Sequence, residues 1–343
     1  MLFNGPPGAY SRIHSGNEWR TEKEPWGAWH KLNIKADRHQ TYCFDVTYES
    51  NDVGARDVID YLPLLSNNNV AIIGDSFVEG YGLNLEDTFA YRLKKIYGKQ
   101  GLNFGAAGDF GPVQEYLLYK SLISKIPHNE VIYFFLPGND FVDNDGGRMS
   151  NRYRPYFVGD DYKIVYPDSA EPTEWFPSAK LKENVSNFTV IEKIKNALVE
   201  YTWTANTIRT VRHLNKEFKS ESKPQSKKHQ NEDWSYFVNS EYIVNGAMTY
   251  VDKLFSEIPK NYPKTIIIIP TRQDLKHIEN GTKYMHLAWY ENLQKIATNY
   301  DARFIDLATE KNYDLSMFHS CDGHWNKKGN ETVLEIFLSL NSK

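Results

Sequence analysis

Four places in the chain hold residue types that suit nucleophilic chemistry on an acyl group. Ser76 follows the apolar run Val70–Ile73 through Gly74 and Asp75. A hydroxyl there becomes a nucleophile when a base takes its proton; alone, it fits a helix cap better. Residues 103–111 carry Gly105, Gly108 and Gly111. Glycines let a tight turn open its backbone N–H groups toward a bound oxygen, or simply supply positive φ. Asn139, between Gly138 and Asp140, offers a neutral amide. Such an amide can donate to a developing oxyanion, or it can close an Asx turn. Near the carboxyl end stand Asp322, Gly323 and His324. An imidazole can accept the serine proton and a carboxylate can fix its tautomer, although a lone loop histidine reads first as a surface residue. Asp75 reads as a brace for the serine turn, not as a reactant.

Other chemistries fit less well. No Gly-Lys-Ser/Thr follows the glycines, so they form no phosphate loop, and their Gly105-x-x-Gly108-x-x-Gly111 spacing is not the dinucleotide pattern. The stretch Gly74–Val78 lacks the second glycine of a Gly-x-Ser-x-Gly elbow. His319, Cys321, Asp322 and His324 crowd into six residues, which suits a tetrahedral metal poorly without ligands from elsewhere. Glu86 and Asp87 read as first-turn helix charges, not as a glycosidase pair. The expectation is therefore a site without metal or organic cofactor.

The elements that must position these residues follow from periodicity. Val70–Ile73, Leu102–Phe104, Val131–Leu136, Thr265–Ile269 and Arg303–Leu307 are short apolar runs closed by glycine, proline or polar turns, and predict five buried strands. Helical spacing over 85–98, 111–126 and 284–300 separates or flanks them. Strand–helix alternation predicts a parallel sheet covered on both faces. The expected fold is α/β, a three-layer α/β/α arrangement with a flavodoxin-like five-stranded sheet and a large insertion after the third strand. Ligands in such sheets bind beyond the carboxyl ends of the strands, where Ser76, the glycine loop and Asn139 stand. Residues 1–65, rich in Gly, Pro, Trp and His, read as an N-terminal extension packed on the core, and 66–343 as the main domain with an insertion over 141–260. Within it the expectation is a hairpin turning at Gly159-Asp160-Asp161, a helix over 187–219, a polar loop over 219–233 and a helix over 234–258.

The 343 residues can bury a large core, and a net charge of −4 gives no general pull toward nucleic acid. Two cysteines, Cys43 and Cys321, make no disulfide framework, and a single bridge between them stays open. No apolar run reaches the ~20 residues of a membrane helix, and the first twenty residues hold no cationic segment followed by an apolar one. The expected location is the cytoplasm. Aromatics are abundant, and Trp175, Trp203, Trp234 and Trp289 could stack on sugar rings or fill the core, the core being preferred.

Together these residues resemble the SGNH hydrolases, or GDSL esterase/lipase family. The first block resembles Ile73-Gly74-Asp75-Ser76-Phe77-Val78-Glu79-Gly80, with Phe77 where the family name has leucine. The second is similar to the Asn103–Gly111 loop, the third to Gly138-Asn139-Asp140 with Pro137 replacing a glycine, and the last to Asp322-Gly323-His324. The family usually carries aspartate three residues before the histidine; here that position is Cys321, and Asp322 stands two before. The resemblance implies an acyl-enzyme mechanism with Ser76, Asp322 and His324 catalytic and an oxyanion hole from Ser76, Gly108 and Asn139. It implies an O-acyl ester substrate, O-acetyl for preference, on a carbohydrate or small molecule, and it permits work at the cell envelope. Acyl transfer to a sugar hydroxyl by the same site, and a non-catalytic glycan-binding module on this frame, are the alternatives.

Overall fold

The computed structural model describes residues 19–41, 43–108, 110–146, 153–166 and 240–341. The expected helix over 187–219 and loop over 219–233, with Trp175, Trp203 and Trp234, lie outside them. Two antiparallel pairs come first, β1 (Arg20–Glu24) with β2 (Gly27–His30) and β3 (Asp37–Gln40) with β4 (Asp45–Tyr48). There follow β5 (Asn69–Gly74), α1 (Ser76–Glu79), α2 (Phe89–Tyr97), β6 (Gln100–Gly105), α3 (Pro112–Ser121), β7 (Glu130–Phe135) and α4 (Pro137–Asp140). A hairpin of β8 (Tyr156–Val158) and β9 (Lys163–Val165) leads on. The described chain ends with α5 (Glu241–Glu257), β10 (Lys264–Ile268), α6 (Arg272–Glu279), α7 (Ala288–Asn299), β11 (Ala302–Asp306) and α8 (Lys327–Asn341).

The five central strands form one parallel sheet ordered β6-β5-β7-β10-β11, with helices on both faces. This is the expected three-layer α/β/α fold. Alternate residues of each strand serve opposite layers, because a strand's side-chain period is two. Ala71, Ile73, Tyr133, Phe135, Ile266 and Ile268 pack with α3, α5 and α7. Val70, Ile72, Ile132, Phe134 and Ile267 pack with α2 and α8. No helix among the described residues is long and apolar enough to cross a membrane.

Helix ends differ from the apolar pattern where capping intervenes. The expected helix over 85–98 is split, because Thr88 turns extended and caps α2 through the Tyr91 amide. Only a short 3-10 turn, Leu85–Asp87, precedes it. Residues 284–287 do not join α7, since Leu287 is extended at its start. The N-terminal residues form the two small antiparallel sheets. Trp26, Trp29, Val53 and Tyr61 are buried in the same apolar layer as α3, α5 and α7.

Register sets the site. Gly74 lies opposite Gly105, and Ile73 opposite Tyr133. The chain therefore leaves β5, β6 and β7 on one edge of the sheet.

Candidate active site

Ser76 opens α1, immediately after β5. Asp75 caps this helix: its Oδ1 accepts the Phe77 amide proton at 2.9 Å. The Ser76 N–H is thus a first-turn amide, which has no acceptor within its own helix. The Ser76 hydroxyl reaches the Nε2 of His324 at 2.8 Å, across 248 residues of sequence. The Nδ1–H of the same ring donates to Asp322 Oδ1. That oxygen also accepts the His324 backbone N–H at 2.9 Å. Asp322 therefore closes an Asx turn on His324, the local bond that short acidic side chains make two residues on. The turn explains how a carboxylate only two residues away meets the ring. Burial would raise the Asp322 carboxyl, but its bonds to His324 outweigh this and hold it below the ordinary aspartate range.

Asn139 sits within α4, at the end of β7. Its amide nitrogen lies 3.1 Å from Asp75 Oδ2 and 3.2 Å from Asp143 Oδ2. Sequence reasoning expects this NH2 to point into a pocket; instead two carboxylates receive it. The orientation follows from charge, since turning the amide over would set its oxygen against both. Burial raises the Asp75 carboxyl, with Asn139 and the Phe77 amide acting in the opposite direction.

The glycine loop comes to α1 through close approach and one carboxylate. A Cβ on Gly105 would stand 2.1 Å from the Glu79 backbone nitrogen, so only glycine permits this contact. Gly108 has φ of +80°, in the left-handed region that glycine tolerates. Glu79, at the end of α1 and 1% exposed, accepts the Ala107 amide proton on Oε2.

Around Glu79 gather residues that sequence reasoning missed. His30 Nε2 lies 3.5 Å and Arg20 Nη2 3.9 Å from its carboxylate. Arg56, fully buried, donates to the carbonyls of Glu79, Gly80 and Leu83 and stands 3.5 Å over the Tyr48 ring. Burial opposes the Glu79 charge, but His30, Arg20 and Arg56 together hold the carboxyl well below the usual glutamate range. Burial in turn pulls the His30 imidazole down. None of these residues lies in a motif. The turn formers Asn51, Asp52, Gly54 and Asp57 around Arg56 are the sequence feature that could point to a structured turn there.

The imidazole edge is lined by rings. Tyr81 lies 4.7 Å and Phe77 5.2 Å from His324, centroid to centroid. Trp289 is buried against Phe135 and Phe141, and so serves the core. Cys43 and Cys321 form a disulfide, with Cα atoms 5.7 Å apart. No group of three or more His, Cys, Asp or Glu among the described residues is placed to hold a metal ion.

No family model and no curated protein sequence matches the chain. Among solved structures it is similar to a protein from Desulfitobacterium hafniense DCB-2 assigned to the G-D-S-L lipolytic family. The identity is 13% and the TM-score 0.34, over 78% of this chain and 96% of the other. At that score too little is shared for function to pass from one to the other.

Proposed function

We propose that the chain is a serine ester hydrolase that cleaves an O-acyl, by preference O-acetyl, ester of a carbohydrate or small molecule. The observation that carries this reading is the 2.8 Å contact from the Ser76 hydroxyl to His324 Nε2, with Nδ1 of that ring bonded to Asp322. The Asp322 bond keeps the proton on Nδ1 and leaves the Nε2 lone pair to accept. Ser76 Oγ attacks the ester carbonyl and its proton passes to His324. The tetrahedral oxyanion is held by the Ser76 and Gly108 backbone N–H groups and by the Asn139 amide, which exchanges one carboxylate for the oxyanion. The alcohol leaves with the proton from His324. Water, deprotonated by the same ring, then releases the acid and restores Ser76.

Tyr81, half-buried, supplies a ring beside His324, where the leaving alcohol must pass, with Phe77 buried behind the imidazole. A ring there suits a sugar or other small alcohol carrying an apolar face. The Cys43–Cys321 disulfide favours the cell envelope over the cytoplasm, because disulfides persist in oxidising compartments.

The test is a panel of acetate esters, aryl and sugar-linked, given to the wild-type protein and to Ser76→Ala and His324→Ala. The wild type should hydrolyse at least one, and each variant should lose on the order of 10⁴-fold or more in kcat while staying folded. Full activity in Ser76→Ala would remove the mechanism.

A further inference from the structure

We propose that the Cys43–Cys321 disulfide is a positioning clamp that holds Asp322 and His324 against Ser76, so that turnover requires its oxidised form. The proposal rests on the hydrolase reading of the site. Cys321 directly precedes Asp322, and its partner lies 278 residues away, in the turn between β3 and β4.

The segment that carries the histidine is pinned at its ends, where Phe318 and Trp325 are buried and form a bridge to each other, and the disulfide pins Cys321 between them. His319 N–H donates to the His324 carbonyl at 2.9 Å, which ties the segment only to itself. Arg272 donates to the carbonyls of His319 and Ser320 at 3.2 and 3.3 Å. Ser320 and Gly323 are exposed, and Cys321, Asp322 and His324 are half-buried. The Asx turn fixes Asp322 relative to His324, Trp325 anchors the chain on the far side of the ring, and the bond at Cys321 holds the near side against the turn between β3 and β4.

The other end of the bond is anchored to the serine side. Cys43 packs with Trp19, Phe44, Val46 and Tyr48. Tyr48 OH accepts the Gly82 amide proton at 2.8 Å, and Phe44 meets Tyr81 edge to face at 5.2 Å. Gly82 and Tyr81 continue the chain just beyond α1, and Tyr81 also packs on the His324 ring. The turn carrying Cys43 therefore touches the chain on both sides of the Ser76–His324 contact, and the disulfide closes that triangle covalently. A displacement of about 1 Å between reacting groups costs about 10²-fold in rate. Both cysteine residues are half-buried, neither being sealed in the core.

Dithiothreitol breaks the bond in a balanced exchange. Two electrons and two protons pass to the cysteines, giving two thiols, and the dithiol closes to its cyclic disulfide. The experiment uses full-length protein purified without reductant, its free thiols counted. kcat and KM for an aryl acetate are measured before and after reduction, at a temperature where circular dichroism shows the reduced protein folded. The downfield proton resonance of the His324 Nδ1–H is followed in the same samples. Expected are no free thiols at the start, a kcat at least tenfold lower after reduction with KM within about twofold, a broadened or shifted Nδ1–H signal, and recovery on reoxidation. The double variant Cys43→Ser/Cys321→Ser should match the reduced protein and ignore the reagent. Free thiols in the air-oxidised protein, or an active oxidised protein unchanged by reduction, would overturn the clamp alone. An oxidised protein inactive on every ester and unreactive at Ser76 would remove the hydrolase reading, and the clamp with it.

Discussion

Glu115 shows how far buried carboxylates shape this molecule. It is fully buried on α3, with Oε2 accepting the Tyr133 hydroxyl proton at 2.7 Å. Burial pushes its carboxyl well above the ordinary range, the nearby Asp75 and Asp143 add to this, and the Tyr133 bond acts against it. Its folded pKa is the higher one. The stabilisation is thus complete below the ordinary glutamate value and is lost as pH rises through the folded value. Glu115→Gln keeps an acceptor for Tyr133 and does not titrate. Its melting temperature should lie closest to the wild type near about pH 4 and exceed it increasingly toward about pH 9. A difference that does not change with pH would contradict this. The same local chemistry decides which site residues were legible. Ser76, Asp322 and His324 stand out because a hydroxyl after a strand and an acid–base pair in a loop are visible as residue types. The sharing of the Asn139 amide between Asp75 and Asp143 was not legible, because Asp143 carries no motif and meets Asn139 only through the turn of the helix.

Strand–helix junctions bring these residues together. Five apolar runs locate β5, β6, β7, β10 and β11 within two residues at each end; β5, β6, β7 and β10 are buried almost throughout and so have no polar alternation to blur them, whereas β11, expected to be buried, lies at the sheet edge with Arg303 exposed. Helix boundaries were less legible, as at Thr88, where a side-chain cap ends the periodic run. The junction after β5 depends on Glu79, which ties α1 to the glycine loop through the Ala107 amide. Glu79→Ala should lower kcat by on the order of 10²-fold, as the loss of an oriented oxyanion donor does, and should destabilise the fold by about 3–5 kcal/mol by leaving buried positive charge unpaired. Glu79→Gln retains an acceptor for Ala107 and should keep more of kcat than Glu79→Ala at equal KM. Steady-state kinetics and denaturant unfolding check both, and equal kcat in the two variants would contradict the loop-positioning role.

Across the whole molecule, the N-terminal residues belong to the packing of the site. Trp29 is fully buried and donates its indole N–H to the Val53 carbonyl at 2.9 Å. It stacks on His30, which in turn faces Glu79. Trp29→Ala should cost about 3–5 kcal/mol, seen as an earlier urea midpoint; an unchanged midpoint would show that these residues merely cover the sheet. That packing was illegible because its partners are far apart in sequence and join no periodic element. β5 and the loop before α8 deliver Ser76 and His324 to one point. Reaction of the oxidised protein with a fluorophosphonate probe, followed by peptide mass mapping, tests it most directly. A single adduct is expected on the peptide containing Ser76, lost in Ser76→Ala and greatly slowed in His324→Ala; a folded, oxidised protein that takes up no probe, or carries it elsewhere, would show that His324 does not activate Ser76.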